Sequence, residues 1–158
     1  MTHTKIYNTP IGKIGFTEDG LAITSVAFIP EEVDIDTSIE ETTLLADAYN
    51  QLMEYLNGDR KDFSLPLNPA GTPFQKKVWE VLRSIPYGET LSYKEVAEKA
   101  GNSKASRAVG MANNRNPIPV IIPCHRVIGA DGKLVGYGGG LPTKIKLLTL
   151  ENCKFINA

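Results

Sequence analysis

The chain contains 158 residues, of which 42% are hydrophobic and 22% are charged, and these values are ordinary for a globular protein. No apolar run approaches the ~20 residues of a membrane span, and the N-terminus lacks the apolar core of a secretory signal. The composition therefore argues against an integral membrane protein, and we expect a cytoplasmic monomer without a membrane partner. The two cysteines, Cys124 and Cys153, are expected to be free thiols, and their spacing from the two histidines is not that of a zinc site.

Charges are distributed unevenly along the chain. Residues 1–71 contain 4 basic and 12 acidic side chains, a net charge of −8, whereas residues 72–158 contain 13 basic and 6 acidic ones, a net charge of +7. An acid-free stretch from Lys99 to Ala130 also carries Lys104, Arg107, Arg115 and Arg126. This asymmetry is typical of a chain whose second half meets a polyanion, although an ordinary solvated surface would show the same pattern.

The first half combines strand and helix patterns. Asp19-Gly20 is a strong hairpin turn, and it lies between the last two of three predicted strands, residues 4–8, 11–17 and 21–28. Apolar residues then recur at helical spacing over residues 44–56, and Gly58 ends that helix. Residues 68–71 are interpreted as a linker between the two halves.

The second half contains several helix starts. Thr72 to Gln75 and Ser92 to Glu95 both have the capping-box pattern, and Asn102-Ser103 is predicted to cap a further helix. Four helices are therefore expected, over residues 73–84, 93–100, 104–113 and 142–151. The second and third are joined by a tight turn containing Gly101, which predicts a helix-turn-helix whose second helix carries Lys104 and Arg107. Helical hairpins without DNA binding share this pattern, but the charge distribution favours DNA.

A proline-rich segment precedes the residues with the most distinctive chemistry. Pro117, Pro119 and Pro123 make it rigid, and residues 120–122 are predicted to be a buried strand that delivers Cys124 and His125 to the core. A cysteine followed by histidine and arginine has a basic environment available, which can lower the pKa of the thiol. Taken alone, a buried free cysteine is more often inert packing than a catalytic group.

A wider set of motifs resembles one family. Residues 123–127 (Pro-Cys-His-Arg-Val) are similar to the active-site motif of the O6-alkylguanine-DNA alkyltransferases. The similarity continues in the family's order and spacing through residues 90–97, 106–110, 116–119, 136–141, Lys144, 147–148 and Glu151. It covers about residues 72–151, whereas residues 1–71 match the family's N-terminal domain only in outline.

The resemblance implies a two-domain fold. Residues 1–68 would form a small α/β, ribonuclease H-like domain. Residues 72–158 would form a mainly helical, winged-helix-like catalytic domain that contains the helix-turn-helix and the active site.

It also implies the roles of the residues around the thiol. Cys124 would be the nucleophile that accepts the alkyl group, and His125 would draw the thiol proton through a bridging water. Glu151 would bind the histidine and stabilise its charged form, while Asn116 would brace the turn that carries Cys124.

Further residues are implied to act on the substrate. Tyr93 would bind or protonate the flipped base, assisted by Lys144, and the backbone near Gly138 would meet the guanine oxygen. The carbonyls of Cys124 and Val127 would bind the exocyclic amine. Arg107 would fill the stack left by the flipped base, with the helix in the minor groove. The resemblance also assigns Ser106, Tyr137 and Gly139 to DNA or base binding.

The implied activity is direct repair of double-stranded DNA by an irreversible, single-turnover transfer from O6-alkylguanine, with alkylated thymine as a further possible substrate. No cofactor and no metal are expected. Two alternatives remain open. A non-enzymatic relative that only binds alkylated bases would carry another residue in place of Cys124, and a Cys-His-Glu hydrolase would turn over many times.

Overall fold

The computed structural model describes residues 1–156, and the last two residues of the predicted domain 72–158 lie outside them. The chain forms two compact units, residues 1–70 and the residues from Gly71 onward. Each unit has its own core and is described separately.

The first unit contains an antiparallel three-stranded sheet. Its strands are β1 (His3–Thr9), β2 (Gly12–Glu18) and β3 (Ile23–Ile29), in the order β1-β2-β3. Gly12 has a φ of +102°, which suits the two-residue connection between β1 and β2. In the next turn the Asp19 carboxylate accepts the amides of Leu21 and Ala22, each at 2.9 Å, and this confirms the predicted hairpin.

One helix completes the core of this unit. Helix α1 (Thr43–Leu56) begins at Thr42, whose hydroxyl accepts the Leu45 amide at 3.2 Å. The buried apolar side chains on one face of the helix recur at helical spacing: Leu45, Ala48, Leu52 and Tyr55. Gly58 has a φ of +84° just beyond the C-terminus, so the predicted helix and its end are both confirmed.

The second unit is built on three packed helices, α2 (Pro73–Arg83), α3 (Tyr93–Lys99) and α4 (Ser106–Asn114). Both predicted capping boxes are present, at Thr72 and at Ser92. The indole nitrogen of Trp79 in α2 donates to the Ala112 carbonyl of α4 at 2.8 Å, which fixes α4 against the core.

A short parallel ladder places the proline-rich segment beside α3. Strand β4 (Leu91–Ser92) pairs with β5 (Val127–Ile128), and a 3₁₀-helix over Cys124–Arg126 leads directly into β5. Because Tyr93 follows β4, the ladder brings the start of α3 next to the Cys124 segment. Helix α5 (Leu141–Leu150) is the last helix of the unit in chain order. Within residues 1–156, no helix is both long and apolar enough to cross a membrane.

Two predictions of local structure were wrong. Residues 120–122 are buried but form a turn, in which the Ile122 amide donates to the Ile118 carbonyl at 2.9 Å. Three prolines in seven residues prevent a regular strand there. Helix α4 starts at Ser106 rather than Lys104, because Asn102 accepts the Lys104 amide at 3.1 Å in a local turn instead of capping the helix.

Gly71 has a packing requirement that can be tested. A Cβ at this position would lie 2.5 Å from Cη2 of Trp79, so Gly71→Ala should lower the free energy of unfolding of the second unit by about 1–3 kcal/mol. Urea unfolding followed by the fluorescence of Trp79, the single tryptophan of the chain, measures this. Gly136→Ala is the matched control, since a Cβ there meets no heavy atom of the described residues within 4 Å. Equal midpoints for the two variants would contradict the packing argument.

Candidate active site

The turn before Cys124 is tightly constrained. Asn116 spans it, since its side-chain amide donates to the Ile122 carbonyl at 2.8 Å and its side-chain oxygen accepts the Ile118 amide at 2.9 Å. Val120 has a φ of +72°, a conformation that costs a β-branched residue about 1–3 kcal/mol. The surrounding bonds hold the chain in this conformation, and they direct the turn toward Cys124.

The Cys124 sulfur lies in a polar cradle inside the core. Burial raises the pKa of the thiol to about 11, against the opposing effects of the Asn116 side chain, the Lys144 charge and the backbone amides of Cys124 and Val120. The expectation of a lowered pKa was therefore wrong for the resting protein, because the loss of water outweighs the donors around the sulfur. At neutral pH Cys124 is a thiol, so a base must remove its proton before it can act as a nucleophile.

His125 follows Cys124 directly and pairs with a buried carboxylate. It is fully buried, and its Nε2 lies 2.8 Å from Oε2 of Glu151. Burial lowers the pKa of the histidine, and this effect outweighs the opposing effect of Glu151. A neutral ring that donates its Nε2 proton to the carboxylate carries the basic lone pair on Nδ1. The pairing of His125 with Glu151, implied by the resemblance, is thus present in the structure.

Arg126 is a member of this network that the sequence did not reveal. Its Nε donates to Oε1 of Glu151 at 2.8 Å and its Nη2 donates to Oε2 at 3.1 Å, a two-pronged ion pair. Its Nη1 donates to the Ile85 carbonyl at 2.7 Å. The position of Arg126 after Cys124-His125 was noted as a local basic charge, but a partner 25 residues away cannot be identified from spacing alone.

The Glu151 carboxylate also has neighbours outside the motif. The Gly88 amide donates to Oε1 at 3.3 Å, and the Cys153 sulfur lies 4.0 Å from the same oxygen. Cys124 and Cys153 are both free thiols, as predicted. Burial raises the pKa of Cys153 to about 11.

Lys144 is fully buried in α5, with both its described hydrogen bonds going to backbone carbonyls. Its Nζ donates to the carbonyls of Val127 at 2.8 Å and Val135 at 3.1 Å. Burial lowers the pKa of this lysine to about 8. It therefore ties strand β5 to Val135, the residue just before the glycine-rich loop of residues 136–140.

Two tyrosines, Tyr93 and Tyr137, are close enough to Cys124 to interact with it electrostatically. Tyr93 is half-buried, with its ring against Gly110 of α4, and burial raises its pKa. The Tyr137 hydroxyl is buried, and burial raises its pKa well above the ordinary value. Both hydroxyls are therefore protonated at neutral pH and are able to donate a hydrogen bond.

Asn113 is a second residue that the sequence reading missed. It is buried in the last turn of α4, and its side-chain amide donates to the Cys124 carbonyl at 3.4 Å. That carbonyl also accepts the Val127 amide. The contact ties α4 directly to the backbone of Cys124. Its place one turn after the buried Val109, on the inner face of the helix, was the available signal.

The second unit thus combines a buried thiol, a neutral histidine, and a carboxylate neutralised by an arginine. This set can generate a thiolate when a substrate arrives and can keep it from water. In the part of the chain that the structure describes, no cluster of His, Cys, Asp and Glu side chains is suited to a metal ion.

Comparison with known proteins identifies the family. The family model for the 6-O-methylguanine DNA methyltransferase DNA-binding domain matches residues 73–153, and that for the ribonuclease-like domain matches residues 2–69. The chain belongs to the 6-O-methylguanine DNA methyltransferase family. The two matched domains confirm the predicted fold class, an α/β N-terminal domain followed by a mainly helical DNA-binding domain.

Relatives of this methyltransferase family match nearly the whole chain. The methylated-DNA–protein-cysteine methyltransferase of Methanosarcina acetivorans is 50% identical and covers 92% of this chain and 96% of its own. The constitutive enzyme of that name from Bacillus subtilis is 45% identical, with 98% of each chain covered. The crystal structure of Mycobacterium tuberculosis OGT in complex with DNA matches with a TM-score of 0.86 and 43% identity, over 95% of this chain and 92% of that one.

The outer face of α4 lies apart from the buried network of this family member. Arg107 is exposed at the second position of the helix, behind the half-buried Ser106. Met111 follows one turn later with 58% of its surface exposed, and the exposed Arg115 follows one turn after that. In the glycine-rich loop Gly138 is exposed and Gly139 half-buried. These residues are accessible to a large ligand, whereas the network behind Cys124 is not.

The tie made by Lys144 can be tested against a neighbouring lysine. Lys144→Met should lower the free energy of unfolding by about 1–3 kcal/mol, because the buried Val127 carbonyl and the part-buried Val135 carbonyl lose a donor, and should speed amide hydrogen exchange in residues 134–140. Lys146→Met on the same helix is the control, since Lys146 is exposed. Unchanged exchange in the loop of the Lys144 variant would show that the tie is not needed.

Proposed function

We propose that this protein repairs DNA by direct reversal, moving the alkyl group of O6-alkylguanine onto the sulfur of Cys124 irreversibly and once per molecule. The observation that supports this most strongly is the buried thiol beside a neutral His125, in a chain whose relatives are named methylated-DNA–protein-cysteine methyltransferases. No cofactor is needed, because the protein itself is the acceptor.

The reaction begins with removal of the thiol proton. His125, through the lone pair on Nδ1 and a bridging water, accepts the proton of Cys124, and the hydrogen bond to Glu151 stabilises the imidazolium that forms. The thiolate attacks the alkyl carbon, so a sulfur–carbon bond forms as the carbon–O6 bond breaks. Asn116 holds the turn that aims the sulfur.

The guanine oxygen leaves with the electron pair of the broken bond. The protonated hydroxyl of Tyr93 supplies a hydrogen bond or a proton to the base, and the positive charge of Lys144 assists. Tyr137 and the backbone at Gly138 and Gly139 form the other side of the pocket.

The carbonyls of Cys124 and Val127 bind the exocyclic amine of the base. A carbonyl oxygen has two lone pairs, and the Val127 oxygen uses one of them for Lys144. The Cys124 oxygen already accepts both the Val127 amide and Asn113, so it must share or release one donor before it can bind the amine.

The DNA side of the reaction uses α4. A base inside a duplex cannot reach a buried sulfur, so it must be flipped out at a cost of a few kcal/mol. Arg107 fills the gap, Ser106 lies at the start of the helix against the backbone, and the helix occupies the minor groove. We also assign the protein to the cytoplasm, because two free cysteines are typical of a reducing compartment.

The stoichiometry of transfer tests the proposed reaction. Incubation with DNA containing O6-methylguanine should add one methyl group per protein molecule at Cys124, as read by mass spectrometry of the intact protein and its peptides. Cys124→Ala should abolish transfer yet keep DNA binding, which depends mostly on phosphate contacts. Cys153→Ala is the matched control and should still accept one methyl group. Turnover beyond one equivalent would favour a hydrolase, and a methyl group on Cys153 would contradict the assignment.

Comparing duplex with free base isolates the role of Arg107. Arg107→Ala should slow repair of the duplex at least tenfold while leaving reaction with free O6-alkylguanine base near the parent rate, because its side chain replaces a stacking partner only in a duplex. Arg83→Ala, at an exposed position at the end of α2, controls for the loss of one positive charge. Equal losses on both substrates would show that Arg107 acts on the fold or on the thiol.

A further inference from the structure

Arg126 and Glu151 form a buried ion pair that joins three parts of the second unit. Glu151 caps α5, Arg126 belongs to the 3₁₀-helix of Cys124, and Ile85 follows α2. Arg126 is 6% exposed and Glu151 is 2% exposed. The guanidinium also lies 5.8 Å from the ring centroid of Tyr87. Its three donors fit Glu151 and Ile85 at once, which a lysine ammonium cannot reproduce in one geometry.

The carboxylate of Glu151 serves two partners at the same time. His125 binds Oε2, and Arg126 reaches both oxygens. A buried carboxylate must be neutralised, because an isolated charge in the core is costly. With Arg126 present, the pair is already neutral. With Arg126 absent, the nearest way to neutralise Glu151 is a proton on His125, whose hydrogen bond to the carboxylate is already in place.

A protonated His125 could not accept a proton from Cys124. We infer that Arg126 is a positioning residue that neutralises Glu151 and thereby keeps His125 in the neutral form required of the base. This inference rests on the proposed function. It also gives Glu151 a role that depends on the step. Before proton transfer the carboxylate, neutralised by Arg126, leaves His125 neutral, and after proton transfer it stabilises the imidazolium.

The other groups near His125 act in the same direction or are neutral. Lys144 of α5 adds a positive charge that disfavours imidazolium. Cys124, Cys153 and Tyr137 are all uncharged at neutral pH, because burial raises the pKa of each. Arg126 is in direct contact with Glu151, with its Nε 2.8 Å from Oε1. Its loss therefore changes the charge balance around the histidine.

The pH dependence of transfer to the free base tests this inference. Arg126→Met should move the acid limb of the rate profile to higher pH by at least one unit, because His125 must first lose a proton. At pH 7 the loss would be about tenfold for each unit by which the pKa of His125 exceeds the assay pH, and raising the pH should recover most of it. Arg126→Lys, which keeps the charge, should leave the acid limb within half a unit of the parent even if it is less stable.

A direct measurement separates this inference from the proposed function. NMR titration of the two histidines, with His3 as internal reference, should show a raised pKa for His125 in Arg126→Met whether or not the protein transfers alkyl groups. Parent protein without transfer to Cys124 would sink the proposed function alone. A rate loss in Arg126→Met that is equal at every pH, with an unshifted His125, would overturn the inference.

Variants of Glu151 protect the test against misfolding. In a Glu151→Gln background Arg126 has no carboxylate to neutralise and acts on His125 only through the repulsion of its own charge. Adding Arg126→Met there should therefore move the acid limb by less than one unit. A shift of one unit or more in that double variant would overturn the inference. If Arg126→Met alone does not fold, the double variant and Arg126→Lys decide, and a shift above one unit in either counts against it.

Discussion

The packing of several segments of the second unit depends on the buried carboxylate of Glu151. A charge fully inside a protein needs a counter-charge and several donors, and here they come from Arg126, His125 and the Gly88 amide. Meeting that need brings together the end of α5, the segment after α2 and the 3₁₀-helix of Cys124. The arrangement that stabilises the charge is therefore also the one that holds His125, the residue after Cys124.

Helix α4 links the outer surface to this interior. Its exposed side carries Arg107, while its inner side is fixed to α2 through Trp79 and to the Cys124 carbonyl through Asn113. A ligand that binds the outer face of α4 therefore acts on a helix that is bonded to the backbone of Cys124. Under the proposed function, DNA bound to this face would be connected to the position of the thiol through a few hydrogen bonds.

Local signals in the sequence predicted most elements, and long-range pairing was the main omission. The capping boxes at Thr72 and Ser92 and the hairpin at Asp19 depend on residues a few positions apart, so they could be predicted. The prediction of a strand over residues 120–122 was wrong because an apolar composition predicts burial but does not fix the backbone conformation. The contact of Arg126 with Glu151 joins distant segments, and the high pKa of Cys124 depends on burial that only the packed structure defines.

The raised pKa of Cys124 also bears on how a single-use protein survives until it is needed. Because burial raises the pKa of Cys124 to about 11, the sulfur is held almost entirely as a thiol at pH 7. Peroxides and other electrophiles react with thiolates much faster than with thiols, so the resting Cys124 sulfur reacts slowly with them. Cys153 has a low reactivity for the same reason, because burial raises its pKa as well. Burial therefore protects the Cys124 sulfur from small reagents in solution, and the sulfur remains available for a substrate that reaches the core.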